Sequence, residues 1–561
     1  MSIFLKRVNA IIPNSYRKTI VFFFLLSILL LILDIFSVFL LIPLIVSLID
    51  TTQATQFIPI DFLKDNTYAL LTIVFVFFIL KNYLSIKINN YQSKVAYQLG
   101  SEYSVLLSKH YLLGNYLSFK KQKTSSIVKE VIFIANEFVN NVALGIITLF
   151  SELSLLIIVI SIGLYFYFKI SLLIIIVLTI ITISIRLYNK KVIEDINKTR
   201  SKDYDDNISN LTNLLNGYIS IKSPELLNHF LETFSKSNRK LNTNYAVLNA
   251  KKLNTSRQTE IIIVTLICLI FLYLNVVSSK EINAVVFLSV FGTLLFKAIP
   301  SLNRLNIALT NINAHKYTLD ILEQKLSIIS KKKTTTTTIA FDKTIVLKNI
   351  SFSYENDNKL LTSINLTLNK GDFITIEGDS GKGKTTLLNI ISKLIDADSG
   401  QILLDNIEIT DDNKHNYFSL ITYLTQRPFI FEGTILQNLI LDDVSHNQNE
   451  IKYILNKLEI LDVIESLPNG INHFIGVQGS NLSGGQLQRL CIARALLYKP
   501  EILILDEATN NLDRDIELKT LAFIKEYTSE NNTTIILVSH HLNEKQNIQT
   551  TRFNLNTHHE V

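Results

Sequence analysis

Residues 378–385 read Gly378-Asp379-Ser380-Gly381-Lys382-Gly383-Lys384-Thr385, a glycine-rich loop that decides the fold of the C-terminal part of the chain. The loop follows a strand-like run at 373–377 and precedes a helix-like run at 387–394. In this context the backbone N–H groups surround phosphate oxygens, Lys384 reaches the β- and γ-phosphates, and the Thr385 hydroxyl ligates Mg²⁺. The stretch therefore predicts an α/β domain with a P-loop for a nucleoside triphosphate.

A second run, Ile502-Leu503-Ile504-Leu505-Asp506-Glu507, has the composition of a buried parallel strand that ends in two carboxylates. Acids at the carboxyl end of such a strand are placed to hold Mg²⁺ and to activate a water molecule. We assign the metal role to Asp506 and the general-base role to Glu507.

A third run, Leu482-Ser483-Gly484-Gly485-Gln486, precedes a helix-like segment at 487–497. Unpaired N–H groups and the helix dipole make such a turn a phosphate site, although a plain N-capped helix has the same local pattern. With this run the sequence resembles the ATP-binding cassette (ABC) superfamily, whose signature motif is LSGGQ. The resemblance implies that two cassettes sandwich two ATP molecules. Each signature turn then contacts the γ-phosphate of the ATP that is bound to the other subunit.

The resemblance also implies roles for four residues outside these motifs. Tyr354 matches the aromatic residue that stacks on adenine, and Gln426 matches the Q-loop glutamine that contacts Mg²⁺. Asp513 matches the D-loop aspartate at the dimer seam, and His540 matches the switch histidine that senses the γ-phosphate. The residues expected to contact ATP are Tyr354, Gly378, Asp379, Ser380, Gly381, Lys382, Gly383, Lys384, Thr385, Thr386, Gln426, Ser483, Gly484, Gly485, Gln486 and Asp513. The expected Mg²⁺ ligands are Thr385, Gln426 and Asp506, and the residues expected to act in hydrolysis are Lys384, Glu507 and His540.

The N-terminal half reads differently, because long apolar runs repeat from residue 20 to about residue 302. The 561-residue chain is 48% hydrophobic and 18% charged, with a mean hydropathy of +0.29, and these values favour a membrane protein of two or more domains. We predict six helical spans of about the length that crosses ~30 Å of hydrocarbon, at 20–49, 67–88, 142–166, 170–188, 259–278 and 283–302. Only residues 167–169 separate the third span from the fourth, so we expect a tight hairpin there, with one continuous helix as the alternative.

Basic residues set the orientation of these spans. Lysines and arginines are concentrated before the first span, between the second and third, and between the fourth and fifth, whereas the opposite loops carry only Lys64, Lys169 and Lys280. The positive-inside rule therefore places both termini and the cassette in the cytoplasm. The net charge of +6 is mild for this length and gives no reason to expect a nucleic acid partner. We expect a multi-pass protein of a bacterial inner (cytoplasmic) membrane.

Apolar residues recur at helical spacing in both long cytoplasmic loops, so we expect the membrane helices to continue into the cytoplasm. A polar run at 331–338 then separates the two halves. We divide the chain into a transmembrane domain at 1–325, a linker at 326–343 and a cassette domain at 344–561. This arrangement resembles a half-size ABC exporter of the type IV fold. The resemblance implies a homodimer with two ATP sites, and short coupling helices at the loop tips, here near 116–121 and 219–225.

Three features depart from the usual exporter pattern. Gly476-Val477-Gln478-Gly479-Ser480-Asn481 stands where many exporters have a Glu/Arg-rich segment, which argues against a charged contact with the coupling helices. Asn510-Asn511 stands where Ser-Ala is commoner, and His541 stands where arginine is usual. None of these departures removes a catalytic group, so we expect a homodimer with two competent sites.

Short matches bear on the cargo. Ala298-Ile299-Pro300-Ser301-Leu302-Asn303-Arg304-Leu305 is similar to the end of span six in PglK-type flippases of lipid-linked oligosaccharides, and Ser151-Glu152 and Gly479-Ser480-Asn481 are similar too. The resemblance implies an ATP-driven exporter or flippase that moves an amphipathic substrate outward from the cytoplasmic side, with a lipid-linked oligosaccharide as the expected cargo. Export of peptides, or of drugs or other lipids, is the alternative, and a gated channel on the same scaffold stays open.

Ionisable residues lie within or beside the predicted spans, namely Asp34, Lys81, Lys87, Glu152, Arg186, Glu260 and Lys297. Buried charge in a membrane is costly, so such residues usually face water or a partner. We hypothesise that Lys297 and Arg304 line the inner cavity and favour an anionic cargo. Structural ion pairing is the alternative.

Overall fold

The computed structural model describes residues 2–49, 67–166, 168–276, 284–329, 339–354, 360–427, 429–440, 447–476, 481–538, 551–556 and 559–560. The chain divides into two compact units. The first comprises Met1–Gly114 and Ser118–Lys332, and the second comprises Asn115–Leu117 and Lys333–Val561. The first unit is helical and the second is α/β, as the sequence predicts.

Helices, most of them long, make up the described part of the first unit. They are α1 (Ser2–Ile11), α2 (Asn14–Ile49), α3 (Thr67–Leu112), α4 (Tyr116–Lys121, whose first two residues belong to the second unit), α5 (Thr124–Val128), α6 (Leu144–Phe166), α7 (Phe168–Asn216), α8 (Pro224–Val276), α9 (Ala284–Ala314) and α10 (Lys316–Ile329). Between α5 and α6 the chain stays helical but widens into two π-helical segments, Lys129–Ile134 and Phe138–Ala143, on either side of Ala135–Glu137.

Each of the six predicted spans falls within one continuous helical stretch over its described residues, since residues 277, 278 and 283 lie outside the part of the chain that the structure describes. Among the described residues, three stretches are long and apolar enough to cross a membrane: Asn14–Ser37, Tyr68–Leu112 and Thr124–Tyr165. The other three predicted spans lie in α7, α8 and α9, whose side chains are described only in part. The third and fourth spans are separate helices, because α6 ends at Phe166 and α7 begins at Phe168, and the two helices pack on each other.

Several helices of the first unit extend well beyond the predicted spans. α3 has 46 residues, α7 has 49 and α8 has 53, whereas about 20 residues suffice to cross the hydrocarbon. A core cluster between the extension of α3, the π-helical stretch and α10 contains Tyr103, Leu107, Phe138, Leu319 and Leu322, each at most 1% exposed. Burying side chains of this size stabilises the packed helices by about 2 kcal/mol each.

A buried polar network accompanies this core. Arg200 donates from Nη2 to Glu137 Oε1 (3.0 Å) and from Nη1 to the Ala314 carbonyl (3.3 Å), and the Tyr317 hydroxyl donates to the other oxygen of Glu137. Glu137 lies between the two π-helical segments. The network therefore joins that irregular stretch to α7, α9 and α10 by charge-assisted hydrogen bonds.

The two predicted loop tips differ in structure. Tyr116–Lys121 forms a short helix, as a coupling helix requires. The stretch from Gly217 to Ser223 is a turn instead of a helix, and its backbone bonds run from Gly217 N–H to Asn213 and from Ile221 N–H to Gly217. Pro224 follows at the first position of α8, where proline favours a helix start. The expectation of a second short helix near 219–225 is therefore wrong.

The second unit is built on two main sheets and one short hairpin. Its strands are β1 (Thr344–Phe352), β2 (Leu361–Asn369), β3 (Phe373–Glu377), β4 (Ser399–Leu404), β5 (Ile407–Glu408), β6 (Ile421–Leu424), β7 (Gly433–Thr434), β8 (Phe474–Ile475), β9 (Ile502–Asp506), β10 (Thr534–Val538), β11 (Thr551–Asn554) and β12 (His559–Glu560). The central sheet has the order β12-β11-β3-β10-β9-β6, with its five larger strands parallel. An antiparallel sheet has the order β2-β1-β4-β5, and β7 pairs with β8.

Helices cover these sheets, namely α11 (Lys384–Ile391), α12 (Lys414–Ser419), α13 (Ile435–Leu439), α14 (Gln448–Lys457), α15 (Leu461–Glu465), α16 (Gly484–Leu497) and α17 (Arg514–Glu530). All five residues of β9 and all five of β10 are buried, which explains their nearly continuous aliphatic sequence. Because β3, β9 and β10 are parallel neighbours, the residues that follow β3 and β9 lie at one edge of the sheet.

Ordered structure reaches into the predicted linker, residues 326–343, from both ends. α10 continues to Ile329, and Phe341 is buried in the core under β1 and β2. Asp405 accepts the backbone N–H groups of Lys343 (2.8 Å) and Thr344 (2.6 Å), as well as that of Asp342. Burial raises the pKa of the Asp405 carboxyl, but these three donors outweigh that effect and hold the pKa below its ordinary value. The polar run at 331–338 lies outside the described residues.

Candidate ATP site

The glycine-rich loop connects β3 to α11, as the sequence predicts. Gly383 precedes the first residue of α11 at φ +96°, and Gly381 has φ +82°. A side chain at either position would be strained in this left-handed region. The space around Gly381 is open, because an added Cβ would meet no atom within 4 Å. The crest at 379–382, which includes Asp379, Ser380 and Lys382, is exposed, and within it the Lys382 N–H donates to the Asp379 carbonyl (3.3 Å).

Lys384 lies inside this loop and is only 7% exposed. Its ammonium group donates to the carbonyl oxygens of Gly378 (2.6 Å) and Asp379 (3.1 Å). An ammonium group has three donors, so the loop uses two of them and holds the charge at the centre of the phosphate cradle. The contact of Lys384 with a phosphate stays a prediction.

Thr385 and Asp506 meet at the carboxyl edge of the sheet. The Thr385 hydroxyl donates to Asp506 Oδ1 (3.2 Å), and the Tyr423 hydroxyl donates to Oδ2 (3.2 Å). Burial raises the pKa of the Asp506 carboxyl above its ordinary value, and the bonds from Thr385 and Tyr423 offset part of that rise. Sequence reasoning missed Tyr423, although the parallel register of β6 against β9 places it beside this edge.

These groups fit a Mg²⁺ ion that is shared with a nucleotide. In the described part of the chain, no cluster of three or more His, Cys, Asp or Glu side chains could hold a metal by itself. Mg²⁺ in phosphate-transfer sites takes one or two protein ligands and completes its shell with phosphate oxygens and water. A hydroxyl and a carboxylate in mutual contact, next to the phosphate loop, supply that donor set.

Glu507 follows β9 in a strained backbone conformation with φ +54°. Its N–H donates to the Val538 carbonyl (3.0 Å), which fixes the turn against β10. Its Oε2 accepts from Gln426 Nε2 (2.9 Å) and from Asn510 Nδ2 (2.8 Å). Strained residues that the surrounding structure holds in place concentrate at functional sites.

Gln426 thus contacts the carboxylate predicted to be the general base. The prediction that Gln426 also contacts Mg²⁺ would require its amide oxygen, since the nitrogen donates to Glu507. Sequence reasoning noted Asn510 only as a departure from the usual pattern and assigned it no function.

Tyr354 and Thr386 adjoin the same loop. The two hydroxyl oxygens lie 3.2 Å apart, and the Tyr354 ring packs edge-on against Phe352 with 4.9 Å between ring centroids. Tyr354 remains 39% exposed. It lies beside the loop, and its stacking on a base stays a prediction.

The signature turn starts α16 with a reciprocal capping box. The Ser483 hydroxyl accepts from Gln486 N–H (3.3 Å), and Gln486 Oε1 accepts from Ser483 N–H (2.8 Å). Ser483 and Gly484 are exposed. Across the described residues, the bonds of this turn lie within its own helix start and do not reach the P-loop of the same chain.

The D-loop packs directly against the signature helix. A Cβ added to Gly485 would lie 3.0 Å from the Asn511 carbonyl oxygen, and the Asn511 N–H donates to Gln488 Oε1 (3.1 Å). Asp513 occupies the N-cap position of α17. His540, His541 and residues 477–480 of the segment before the signature lie outside the described residues.

Known proteins are similar to parts of this chain in sequence. Residues 361–510 match the family model described as ABC transporter. The ATP-dependent lipid A-core flippase of Desulfotalea psychrophila is 38% identical over 219 residues, which are 39% of this chain and 38% of that protein. A putative export ATP-binding/permease protein of Rickettsia bellii is 41% identical over 181 residues, 32% of this chain and 31% of that protein. The ABC-type transporter kk1G of Curvularia clavata is 38% identical over 199 residues, 35% of this chain and 15% of that protein. The chain therefore matches only 15% to 38% of the length of these relatives.

A solved structure is similar over almost the whole chain. A bacterial Atm1-family ABC exporter, determined with ATP bound, has a TM-score of 0.78 and 17% sequence identity. The match covers 97% of this chain and 94% of that one. The predicted fold class is thereby confirmed: a helical transmembrane domain is followed by an α/β cassette of the ABC type.

Proposed function

We propose that the chain is one half of an ATP-driven exporter, an ATP hydrolase that couples hydrolysis to outward transport. The observation that carries this proposal is the meeting of three motifs at one sheet edge. Thr385 of the P-loop contacts Asp506, and Gln426 contacts the adjacent Glu507 (2.9 Å). A likeness in fold to an exporter along 97% of the chain supports the transport part.

The chemistry follows from the positions of these groups. The P-loop N–H groups and Lys384 would bind the phosphates, and Thr385 with Asp506 would hold Mg²⁺, which would neutralise phosphate charge. Glu507 orients a water molecule and accepts its proton as the water oxygen bonds to the γ-phosphorus. The bond from that phosphorus to the β-γ bridging oxygen breaks, and ADP leaves with inorganic phosphate.

We further propose that the protein acts as a homodimer with two ATP sites. The exposed signature turn, whose bonds among the described residues do not reach its own P-loop, is available to a second copy. Free N–H groups at the start of α16 would then contact the γ-phosphate on the partner. The proposed site in the cell is a bacterial inner membrane with the cassettes in the cytoplasm, supported by the distribution of basic residues.

The expected cargo is a lipid-linked oligosaccharide. Two short segments that separately resemble such flippases touch each other: Ser301 donates to the Glu152 carbonyl (3.3 Å), and Arg304 pairs with the Glu152 carboxylate (Nε to Oε1, 2.5 Å; Nη2 to Oε2, 3.2 Å). One relative is named an ATP-dependent lipid A-core flippase. These observations favour an amphipathic glycolipid over a peptide or a drug.

The charged residues of the spans favour an anionic cargo, but the hypothesis about Lys297 and Arg304 has to be changed. Lys297 and Arg304 are not isolated cations, because Lys297 pairs with Asp34 (2.8 Å) and Arg304 pairs with Glu152. Lys81 also binds Asp34 Oδ1 (2.5 Å), so two ammonium groups share one carboxylate. Asp34, Lys81 and Lys297 form a cluster with a net positive charge. We propose that this cluster, and not a pair made of Lys297 and Arg304, favours a pyrophosphate-linked headgroup.

Reconstitution tests the proposal. The chain is placed in vesicles with a fluorescent polyprenyl pyrophosphate-linked glycan, and MgATP is added to outward-facing cassettes. We expect the label to become protected from an impermeant quencher only during ATP turnover. Glu507→Gln should abolish protection, whereas Glu530→Gln, the same change at the exposed end of α17, should not.

Three results would contradict parts of the proposal. Hydrolysis-dependent uptake of a peptide or a drug, but not of the glycolipid, would exclude the proposed cargo. Cargo flux down its gradient without hydrolysis would indicate a channel. Absence of Mg²⁺-dependent ATP hydrolysis in the unsubstituted chain would overturn the ATPase assignment itself.

A further inference from the structure

Asn510 makes a contact that the motifs do not account for. Its side-chain nitrogen donates to Glu507 Oε2 over 2.8 Å. The same oxygen accepts from Gln426 Nε2 over 2.9 Å. Two amide groups, one from the Q-loop and one from the D-loop, therefore hold one oxygen of the same carboxylate. Hydrogen bonds to an ionised acceptor are stronger than those between neutral groups.

The orientation of the Asn510 amide follows from this contact. An ionised carboxylate only accepts hydrogen bonds, so the amide must turn its NH₂ group towards Glu507 and its oxygen away. That oxygen, Asn510 Oδ1, is buried and has no hydrogen-bond partner among the described residues. Among the described residues, the Glu507 carboxylate is thus the only group that bonds to this amide, and the side chain makes no other polar bond there.

The backbone brings the two side chains together. Glu507 has φ +54°, and its carbonyl accepts the Asn510 N–H over 3.3 Å, which closes a tight turn between them. The next residue, Asn511, is tied to the signature helix through Gln488. Asn510 therefore links the carboxylate to a loop that is itself fixed against α16.

We propose that Asn510 is a positioning residue that sets the orientation of the Glu507 carboxylate for hydrolysis. The inference rests on the proposed ATPase function and adds a residue to that site. With Oε2 held by two amide donors, rotation of the carboxylate is restricted, and the group meets the attacking water in one orientation. The Asn510 side chain thus donates a hydrogen bond to the carboxylate. The sequence had shown this residue only as a departure from the commoner serine.

Three variants of the full chain test this role. Asn510→Leu removes both polar atoms at similar volume, Asn510→Asp replaces the donor by a second carboxylate, and Asn510→Ser restores a shorter donor. We expect kcat for ATP hydrolysis to fall about 10- to 100-fold in Asn510→Leu, further in Asn510→Asp, and less in Asn510→Ser. The KM for ATP should stay within about twofold, because Asn510 contacts no nucleotide-binding group among the described residues.

A matched control separates the effect of the site at Asn510 from the general effect of an Asn-to-Asp change. Asn447→Asp makes the same change at the N-cap of α14, where an aspartate oxygen accepts the Asn449 N–H equally well. This variant should keep the kcat of the unsubstituted chain. Thermal unfolding of the Asn510 variants, with and without MgATP, shows whether each is folded and still binds nucleotide.

The outcomes distinguish the inference from the proposed function. Lower kcat with retained KM and a retained MgATP-dependent thermal shift supports a positioning role. Unchanged kcat in Asn510→Leu and Asn510→Asp overturns the inference and leaves the ATPase assignment intact. A fall in kcat accompanied by loss of nucleotide binding also overturns it, because that pattern indicates a structural role. An unsubstituted chain that does not hydrolyse ATP overturns both.

Discussion

Asp506→Asn separates the proposed metal role of this residue from its structural role. Asp506 is 5% exposed and accepts two hydroxyl donors, from Thr385 and Tyr423, each at 3.2 Å. Asparagine keeps one acceptor oxygen, and its NH₂ group can donate to a rotated hydroxyl. The charge-assisted part of the two bonds is lost, about 1 kcal/mol each.

An opposing effect reduces this loss. Because burial raises the pKa of the Asp506 carboxyl, the ionised group destabilises the fold at neutral pH, and its removal recovers free energy of unfolding. The net change should be within about 1 kcal/mol, or about 2–4 °C in Tm for a domain of this size. The loss of a metal ligand should instead remove several kcal/mol of transition-state stabilisation, so kcat should fall about 100-fold or more.

Two measurements on one preparation decide the matter. Differential scanning fluorimetry without nucleotide reports stability, and Mg²⁺-dependent phosphate release reports turnover. Asp506→Asn should unfold near the temperature of the unsubstituted chain and should bind ATP with little dependence on Mg²⁺. Retention of more than about a tenth of the turnover would refute the metal role. Loss of fold before any nucleotide is added would refute the reasoning on stability.

Three further predictions follow from contacts elsewhere in the chain. Tyr354→Ala should raise the KM for ATP about tenfold with kcat unchanged, because stacking on a base is worth about 1–3 kcal/mol. Equal ATP affinities of the variant and the unsubstituted chain in a fluorescence titration would contradict this. Arg304→Met and Glu152→Gln should each lower transport and thermal stability. The double variant should lose less transport and stability than the sum of the two single losses, whereas additive losses would show that the two side chains do not act together. Asp405→Asn should lower the Tm of the cassette by a few degrees at neutral pH. Because the folded pKa of Asp405 is lowered, its contribution is present above about pH 4 and is lost as pH falls through the folded pKa, so the two proteins should converge in acid unfolding.

Local patterns predicted the cassette well because its elements carry their own signals. The P-loop lies between β3 and α11, and the aliphatic run before Asp506 forms the fully buried β9. The described residues of the six apolar runs likewise lie in helices. Length and composition alone indicate whether a segment can span hydrocarbon. Such features need no knowledge of which segments meet.

Contacts between distant segments could not be predicted in the same way. Asp34 lies 263 positions from Lys297, and no local pattern indicates that two lysines share its carboxylate. The contact of Gln426 with Glu507 depends on the order of β6 and β9 in the sheet. The π-helical segments on either side of Glu137 have no recognisable sequence signal, and the turn at 217–223 replaced a helix expected only by resemblance.

Asn510 stands between these cases. Its distance of three residues from Glu507 is local, but the contact requires the left-handed backbone at Glu507, which sequence does not reveal for a glutamate. If a tight turn after β9 is assumed, the Asn510 amide can be placed beside the Glu507 carboxylate. The asparagine in place of the commoner serine was therefore the one sequence signal for this contact.

The most direct test of the account is the fate of ATP in the Glu507→Gln chain. The purified protein is incubated with MgATP, passed over a desalting column, and assayed for retained nucleotide and released phosphate. Loss of the general base should stop hydrolysis but not binding, so about one ATP per chain should be retained, still as ATP. Phosphate release at the rate of the unsubstituted chain, or a chain that retains no nucleotide, would contradict the assignment of this site.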